Sequence, residues 1–73
     1  MFYTVLEIQE DASGNRVCIP VIYPGYQEAL AKLYTILAAA AVSTIPYHAG
    51  CILRSDGILT DGRVFDRKQT EAE

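Results

Sequence analysis

The sequence predicts an α+β fold of order ββαββ, in which two β-hairpins flank one central apolar helix and several copies associate. Two pairs of segments rich in β-branched and aromatic residues each enclose a turn with a glycine, and a helix-forming segment without a polar face lies between the pairs. A chain of 73 residues allows one domain. We assign residues 1–65 to this domain and residues 66–73, which lack apolar periodicity, to a solvated C-terminal tail.

The first predicted hairpin joins strands at residues 2–9 and 16–23 through a turn that contains Gly14. In its second strand both sides are apolar, with Val17, Ile19, Val21 and Tyr23 on one side and Cys18, Pro20 and Ile22 on the other. Both faces of this hairpin therefore need cover, which a single two-layer domain cannot provide. Pro20 has no N–H to donate, so this strand is expected at a sheet edge or a bulge.

The predicted helix spans residues 26–43 and is apolar on every side, which is typical of a helix buried on every side. Its expected core stripe is Leu30, Leu33, Tyr34, Leu37 and Ala41. Four strands cover only one side, so we expect another copy to cover the rest. The residues expected at this oligomer interface are Leu33, Ile36, Leu37, Ala39, Ala40 and Val42. The alternative is that the alanines reflect helix propensity and are tolerated in solvent.

The second predicted hairpin joins residues 47–54 and 58–65 through the turn Ser55-Asp56-Gly57, whose Asp-Gly pair is a strong hairpin signal. Gly50 and Gly62 lie inside these strands. Glycine weakens strand pairing, so each indicates either a bulge or a close approach of another backbone.

Charge and cysteine content exclude several functions. The net charge is −3 and no stretch concentrates basic residues, which argues against nucleic-acid polymers as partners but leaves room for a small anion. The two cysteines, Cys18 and Cys51, have neither metal-site nor disulfide-framework spacing, which favours a reducing, cytoplasmic setting. The sequence starts without the features of a secretory signal, and the apolar run 29–42 is too short to cross a membrane.

No catalytic pattern is visible, so we predict a protein that is not an enzyme and has no cofactor or metal. His48 is the only histidine, and we expect a backbone partner for it. Tyrosines that stack on rings and arginines that bind phosphate could serve a nucleotide-like ligand between subunits. The candidate ligand-binding residues are Tyr23, Tyr26, Tyr34, Thr44, Tyr47, His48, Arg54 and Arg63. Alternatively the tyrosines belong to the core and interfaces, and the arginines only solvate the sheet.

The block LYTILAAAAVSTIPYHA at residues 33–49, followed by Ile52-Leu53 and the turn at Ser55, resembles small proteins encoded by phages and prophages of Firmicutes. Proteins of this kind include inhibitors of bacterial immunity, some of which sequester cyclic nucleotide signals in pockets between subunits. The resemblance implies a non-enzymatic phage-encoded anti-defence protein in the cytoplasm of the infected bacterial host, binding a cyclic oligonucleotide as a homo-oligomer.

Two other functions remain open. One is a structural or accessory phage protein, or a protein–protein inhibitor, that acts only through oligomer surface contacts. The other is an inhibitor that contacts a nuclease as a nucleic-acid mimic, which fits the acidity of the chain but not its lack of a dense acidic face.

Overall fold

The computed structural model describes residues 1–67, and it has the four strands and one helix of the predicted ββαββ order. The elements are β1 (Tyr3–Glu10), β2 (Arg16–Tyr23), α1 (Tyr26–Ala41), β3 (Tyr47–Arg54) and β4 (Leu59–Asp66). The strands form one antiparallel sheet in the order β2-β1-β3-β4. The α+β prediction is confirmed, and self-association stays a prediction.

Both hairpin turns use a glycine with left-handed backbone and an aspartate that accepts from backbone N–H groups. Gly14 has a φ of 89° and Gly57 a φ of 90°, a region that side chains with a Cβ rarely adopt. The Asp11 carboxylate accepts hydrogen bonds from the backbone N–H of Ser13 and of Asn15, each at 2.9 Å. These local bonds fix the turn, and with it the strand register.

The central strands are β1 and β3, so β2 and β4 are the two edges of the sheet. Pro20 lies in β2, and the edge position predicted from its missing N–H is confirmed. The helix α1 covers one face of the sheet, where Val5 and Ile52 from the central strands pack against Leu33 and Ile36.

Gly50 lies directly beneath the helix. A Cβ at this position would meet the Leu33 Cδ1 at 3.0 Å and the Ile36 Cγ2 at 3.1 Å. The space at Gly50 is therefore taken by helix side chains, whereas the sequence led us to expect a bulge or a close backbone approach there. At Gly62 a Cβ would meet the Cβ of Cys51 at 3.1 Å on the opposite face of the sheet.

The buried side of α1 differs from the predicted stripe. The residues buried against the sheet are Ala29, Leu33, Ile36 and Ala40. Tyr34 is 62% exposed and Ala41 is also exposed, so their placement in the core was wrong. Leu30 and Leu37 are half-buried at the sides of the contact. The alanines with no exposed surface, Ala29 and Ala40, let the helix lie close to the sheet.

This packing also corrects the predicted oligomer interface. Leu33, Ile36 and Ala40 are buried in the chain's own core and offer no surface to a second chain. Ala39 and Val42 lie on the outside, and Val42 is 84% exposed. The interface prediction stands as a prediction for these two and for the half-buried Leu37.

The C-terminal tail begins later than predicted, because Asp66 belongs to β4 and Arg67 caps the helix. The Arg67 guanidinium donates to the carbonyl oxygens of Ala40 at 2.8 Å and Ala41 at 3.2 Å, and it lies 5.8 Å from the centroid of the Phe65 ring. The last carbonyls of a helix lack partners within it, and a cation is favourable there. The rest of the predicted tail, residues 68–73, lies outside the described residues.

Candidate interaction surface

The face of the sheet opposite the helix is apolar across all four strands, and we call it the open face. Directly paired residues of neighbouring strands share a face, so the register defines rows across the sheet. Three successive rows are Cys18, Ile8, Ala49 and Val64; Pro20, Leu6, Cys51 and Gly62; and Ile22, Thr4, Leu53 and Leu59. The third row crosses a shift in the β3–β4 register between Ile52 and Leu53, beyond which Leu53 pairs with Leu59 rather than with Thr60. Apart from the two thiols, Thr4 supplies the only polar side chain in these rows. No element of residues 1–67 lies over this face, because α1 packs on the other.

A fourth row lies at one end of the open face, and this row is polar. Its members are Arg16, Glu10, Tyr47 and Asp66. Arg16 forms an ion pair with Glu10 along this row. Beside it lies an open cavity of about 310 Å³, lined by Ile8, Gln9, Glu10, Arg16 and Tyr47. The open face is thus apolar over three rows and charged only at one margin.

The open face is exposed mainly along the edge strands β2 and β4, whereas at its centre Leu6, Ile8 and Cys51 are half-buried and Ala49 is 5% exposed. Ile22 is 65% exposed, Leu59 64% and Val64 53%. Four strands of eight residues give a face of about 500 Å² in plan, taking ~4.8 Å between strands and ~3.3 Å per residue, and the three apolar rows make up roughly 380 Å² of it. Contiguous apolar patches of more than a few hundred Å² are uncommon on monomers and mark interaction sites. The open face is therefore the candidate interaction surface.

Both cysteines lie on the open face, in strands on either side of β1. Strands separated by one neighbour are about 10 Å apart, which is too far for a disulfide within the chain. Both thiols are free. Burial raises the pKa of the Cys51 thiol, and the nearby Cys18 adds to the effect. Cys51 therefore remains a protonated, weakly nucleophilic thiol at neutral pH.

Two of the predicted ligand-binding tyrosines, Tyr23 and Tyr26, do come together on the helix side of the sheet. Tyr3 lies between Tyr23 and Arg54 in the register, and its ring centroid is 5.5 Å from that of Tyr26. We call Tyr3, Tyr23, Tyr26 and Arg54 the tyrosine cluster. It gathers three aromatic rings and one guanidinium at the start of the helix.

The polar groups of the tyrosine cluster already have acidic partners. The Tyr26 hydroxyl donates to the Asp61 carboxylate at 2.6 Å, and this carboxylate raises the pKa of Tyr26. The Arg54 guanidinium donates to both carboxylate oxygens of Asp56. An anionic ligand would have to displace or tolerate these two carboxylates, which opposes its binding in a single chain.

The other predicted ligand-binding residues lie elsewhere. Thr44 and Tyr34 are exposed, Tyr47 belongs to the open face, and His48 is buried. Arg63 stacks on the Phe65 ring, 5.1 Å from its centroid. His48 and Arg54 lie six residues apart along β3, or about 20 Å. The predicted ligand site is therefore split between two ends of the molecule within one chain.

His48 has a carboxylate partner rather than the predicted backbone partner, so that expectation was wrong. Its Nε2 lies 2.8 Å from the Glu7 Oε2, and the Gln9 amide donates to the same oxygen at 3.0 Å. A carboxylate only accepts, so Nε2 carries the proton. The ring is 3% exposed, and its Nδ1 has no partner among the described residues. The hydrogen bond from His48 lowers the pKa of Glu7, although burial acts in the opposite direction.

The Glu7–His48 pair predicts a loss of stability in acid. The pKa of Glu7 in the folded state lies below its ordinary value of 4.5. Its contribution to the free energy of unfolding is therefore complete above that value and is lost as the pH falls through the lowered pKa. Urea unfolding of the native chain and of Glu7→Gln, measured from pH 7 to pH 3, should give a difference in stability that shrinks below about pH 4.5. A difference that stays constant over this range would contradict the role of Glu7.

No protein-family model, curated protein or solved structure matches this chain. Within residues 1–67, histidine, cysteine, aspartate and glutamate side chains form no group of three that could hold a metal ion. The described helix is not long and apolar enough to span a membrane.

Proposed function

We propose that the protein is non-enzymatic and acts as a homo-oligomer through protein–protein contacts made by the open face. The observation that carries this proposal is the continuity of that face, with three apolar rows across four strands. Burial of apolar surface stabilises an interface by about 25 cal/mol per Å², and the free-energy cost of association is subtracted from this gain. If a face of this size stayed in water, the protein would lack the burial of its apolar surface, which is one of the largest stabilising contributions available to so short a chain.

The resemblance to small phage proteins of Firmicutes gives this proposal a setting. As a phage protein it would be an accessory component or an inhibitor of host immunity, and it would act through the surfaces of its oligomer. Protein contacts are favoured over capture of a small anion because the open face is continuous, while the predicted ligand-binding residues are dispersed.

A second candidate function is sequestration of a small anionic immune signal such as a cyclic oligonucleotide. It is supported by the tyrosine cluster, where aromatic rings for stacking lie beside a guanidinium. The carboxylates of Asp56 and Asp61 oppose it. A complete site of this kind needs a second cation from another copy, and Arg63 is a candidate because it is exposed.

Native mass spectrometry of the full chain at micromolar concentration, alone and with a panel of cyclic di- and trinucleotides, separates the two functions. We expect an oligomer and no nucleotide adduct. Leu6→Glu places a charge in the middle of the open face and should shift the protein to monomer, whereas Gln27→Glu, at an exposed helix position, should leave the oligomer intact. Circular dichroism verifies that both variants remain folded.

The alternative outcomes each count against the proposal. A strictly monomeric native chain, or an oligomer that Leu6→Glu leaves unchanged, overturns contacts through the open face. A stoichiometric nucleotide adduct that is lost in Arg54→Gln establishes the second function in place of the first.

A further inference from the structure

We propose that the open face is covered by the open face of a second copy, with the two-fold axis parallel to the strands. The dimer is then a sandwich of two sheets with a helix on each outer side, and β2 and β1 of one protomer lie over β4 and β3 of its partner. This inference rests on the proposed function and names the arrangement in which the copies meet. Three properties of the face support it, namely its area, its polar end row and the sizes of its side chains.

The area of the open face approaches the lower end of what a stable interface needs. Specific interfaces bury about 600 to 1,000 Å² on each partner. The face measures about 500 Å² in plan, and its protruding side chains add accessible surface to this flat area. Two sheets packed face to face align their strands to within about 30°, so nearly the whole face of each copy meets its partner.

The polar end row selects the direction of the two-fold axis. An axis perpendicular to the strands would place Arg16 and Glu10 against the row that holds Ile22 and Leu53, and bury charges on apolar side chains. An axis parallel to the strands instead places each polar row against the partner's polar row, at the rim. Arg16 then lies over the partner's Asp66, which has the opposite charge, as the order β2-β1-β3-β4 requires.

Side-chain sizes in the two middle rows are complementary in this arrangement. In three of the four facing pairs the first hairpin contributes a bulky side chain, Ile8, Leu6 or Pro20, and the second a small one, Ala49, Cys51 or Gly62. The fourth pair has the reverse order, with the small Cys18 opposite the bulky Val64. The strand-parallel axis places Ile8 over the partner's Ala49, Leu6 over the partner's Cys51, and Pro20 over the partner's Gly62. Large residues facing small ones let two sheets interdigitate at native density.

Cysteine crosslinking tests the arrangement through the native Cys18. In the proposed dimer Cys18 lies over the partner's Val64, so Val64→Cys in a Cys51→Ala background gives two thiol pairs across the interface. Within one chain β2 and β4 are three strand spacings apart, about 14 Å, which prevents an intrachain disulfide. Diamide takes two hydrogens from each thiol pair and is itself reduced to the hydrazine. We expect most of this variant to run as a dimer on a non-reducing gel, with two disulfides by intact mass.

The matched control is Pro20→Cys in the same Cys51→Ala background. The perpendicular axis would place Cys18 over the partner's Pro20, whereas the proposed axis keeps these positions about 14 Å apart laterally. We expect no dimer band from this variant or from Cys51→Ala alone. Light scattering of each reduced variant shows whether it is still dimeric before oxidation.

The outcomes separate this inference from the proposed function. In one outcome, Leu6→Glu dissociates the native oligomer, but crosslinking occurs only with Pro20→Cys or with neither variant. The strand-parallel arrangement is then wrong, and the proposed function still stands. A native stoichiometry other than a dimer has the same consequence. A native monomer overturns both.

Discussion

Ala40→Glu is expected to destabilise the protein by about 4 kcal/mol or more, which is a large part of the stability of a small domain. Ala40 has no exposed surface and packs on the side of α1 that meets the sheet. A glutamate there would either bury a charge without a partner or force the helix off its core. Urea unfolding followed by far-ultraviolet circular dichroism should show the native chain folded and this variant largely unfolded without denaturant.

Ala39→Glu is the matched control, because it places the same side chain one residue earlier on the exposed side of the helix. Its effect on the unfolding of the chain should stay within about 1 kcal/mol, including an unfavourable interaction with the helix C-terminus. If copies meet only through the open face, this variant also keeps its oligomer. Equal destabilisation by both substitutions would contradict the orientation of the helix.

The strands and turns could be predicted from the sequence because their signals are local. Alternation with a period of two assigned the faces of β2, and Gly14 and the Asp-Gly pair located the turns. The observation that both sides of the first hairpin are apolar also predicted the need for cover on both faces. The helix covers one of these faces, and the other, the open face, is not covered by any element of residues 1–67.

The orientation of the helix could not be predicted, because the sequence of a helix that is apolar on every side does not show which side faces the core. The stripe through Tyr34 and the stripe through Ala29 both contain Leu33, and both are apolar. The choice is made by the sheet, where Gly50 leaves a depression that fits Leu33 and Ile36. Tertiary packing of this kind depends on residues far away in sequence.

Most of the functional surface depends on long-range pairing that local patterns do not encode. Glu7 and His48 are 41 residues apart. The strand order β2-β1-β3-β4 is not specified by two hairpins, since either strand of each hairpin could have taken the centre. With β1 and β3 central, Ile8 and Leu6 join Ala49 and Cys51 in the middle of one face. The open face emerges only from that order.

Gly50→Ala is expected to cost about 2 kcal/mol, because one methyl group must enter a filled core. Its Cβ would lie 3.0 Å from the Leu33 Cδ1 and 3.1 Å from the Ile36 Cγ2, both on side chains that are at least 96% buried. Neither side chain has space to retreat, so the helix must lift from the sheet. Chemical unfolding monitored by circular dichroism measures the loss.

Gly25→Ala is the control for the change from glycine to alanine. A Cβ there would also meet an atom at 3.0 Å, the Glu28 Oε1, but Glu28 is exposed and can turn into solvent. Gly25 is the N-cap of α1 with an extended backbone, where alanine costs at most about 1 kcal/mol. A larger loss at Gly50 than at Gly25 therefore measures the tightness of the contact between helix and sheet. Equal losses would mean that the helix yields at Gly50, and that its distance from the sheet is not set by this glycine.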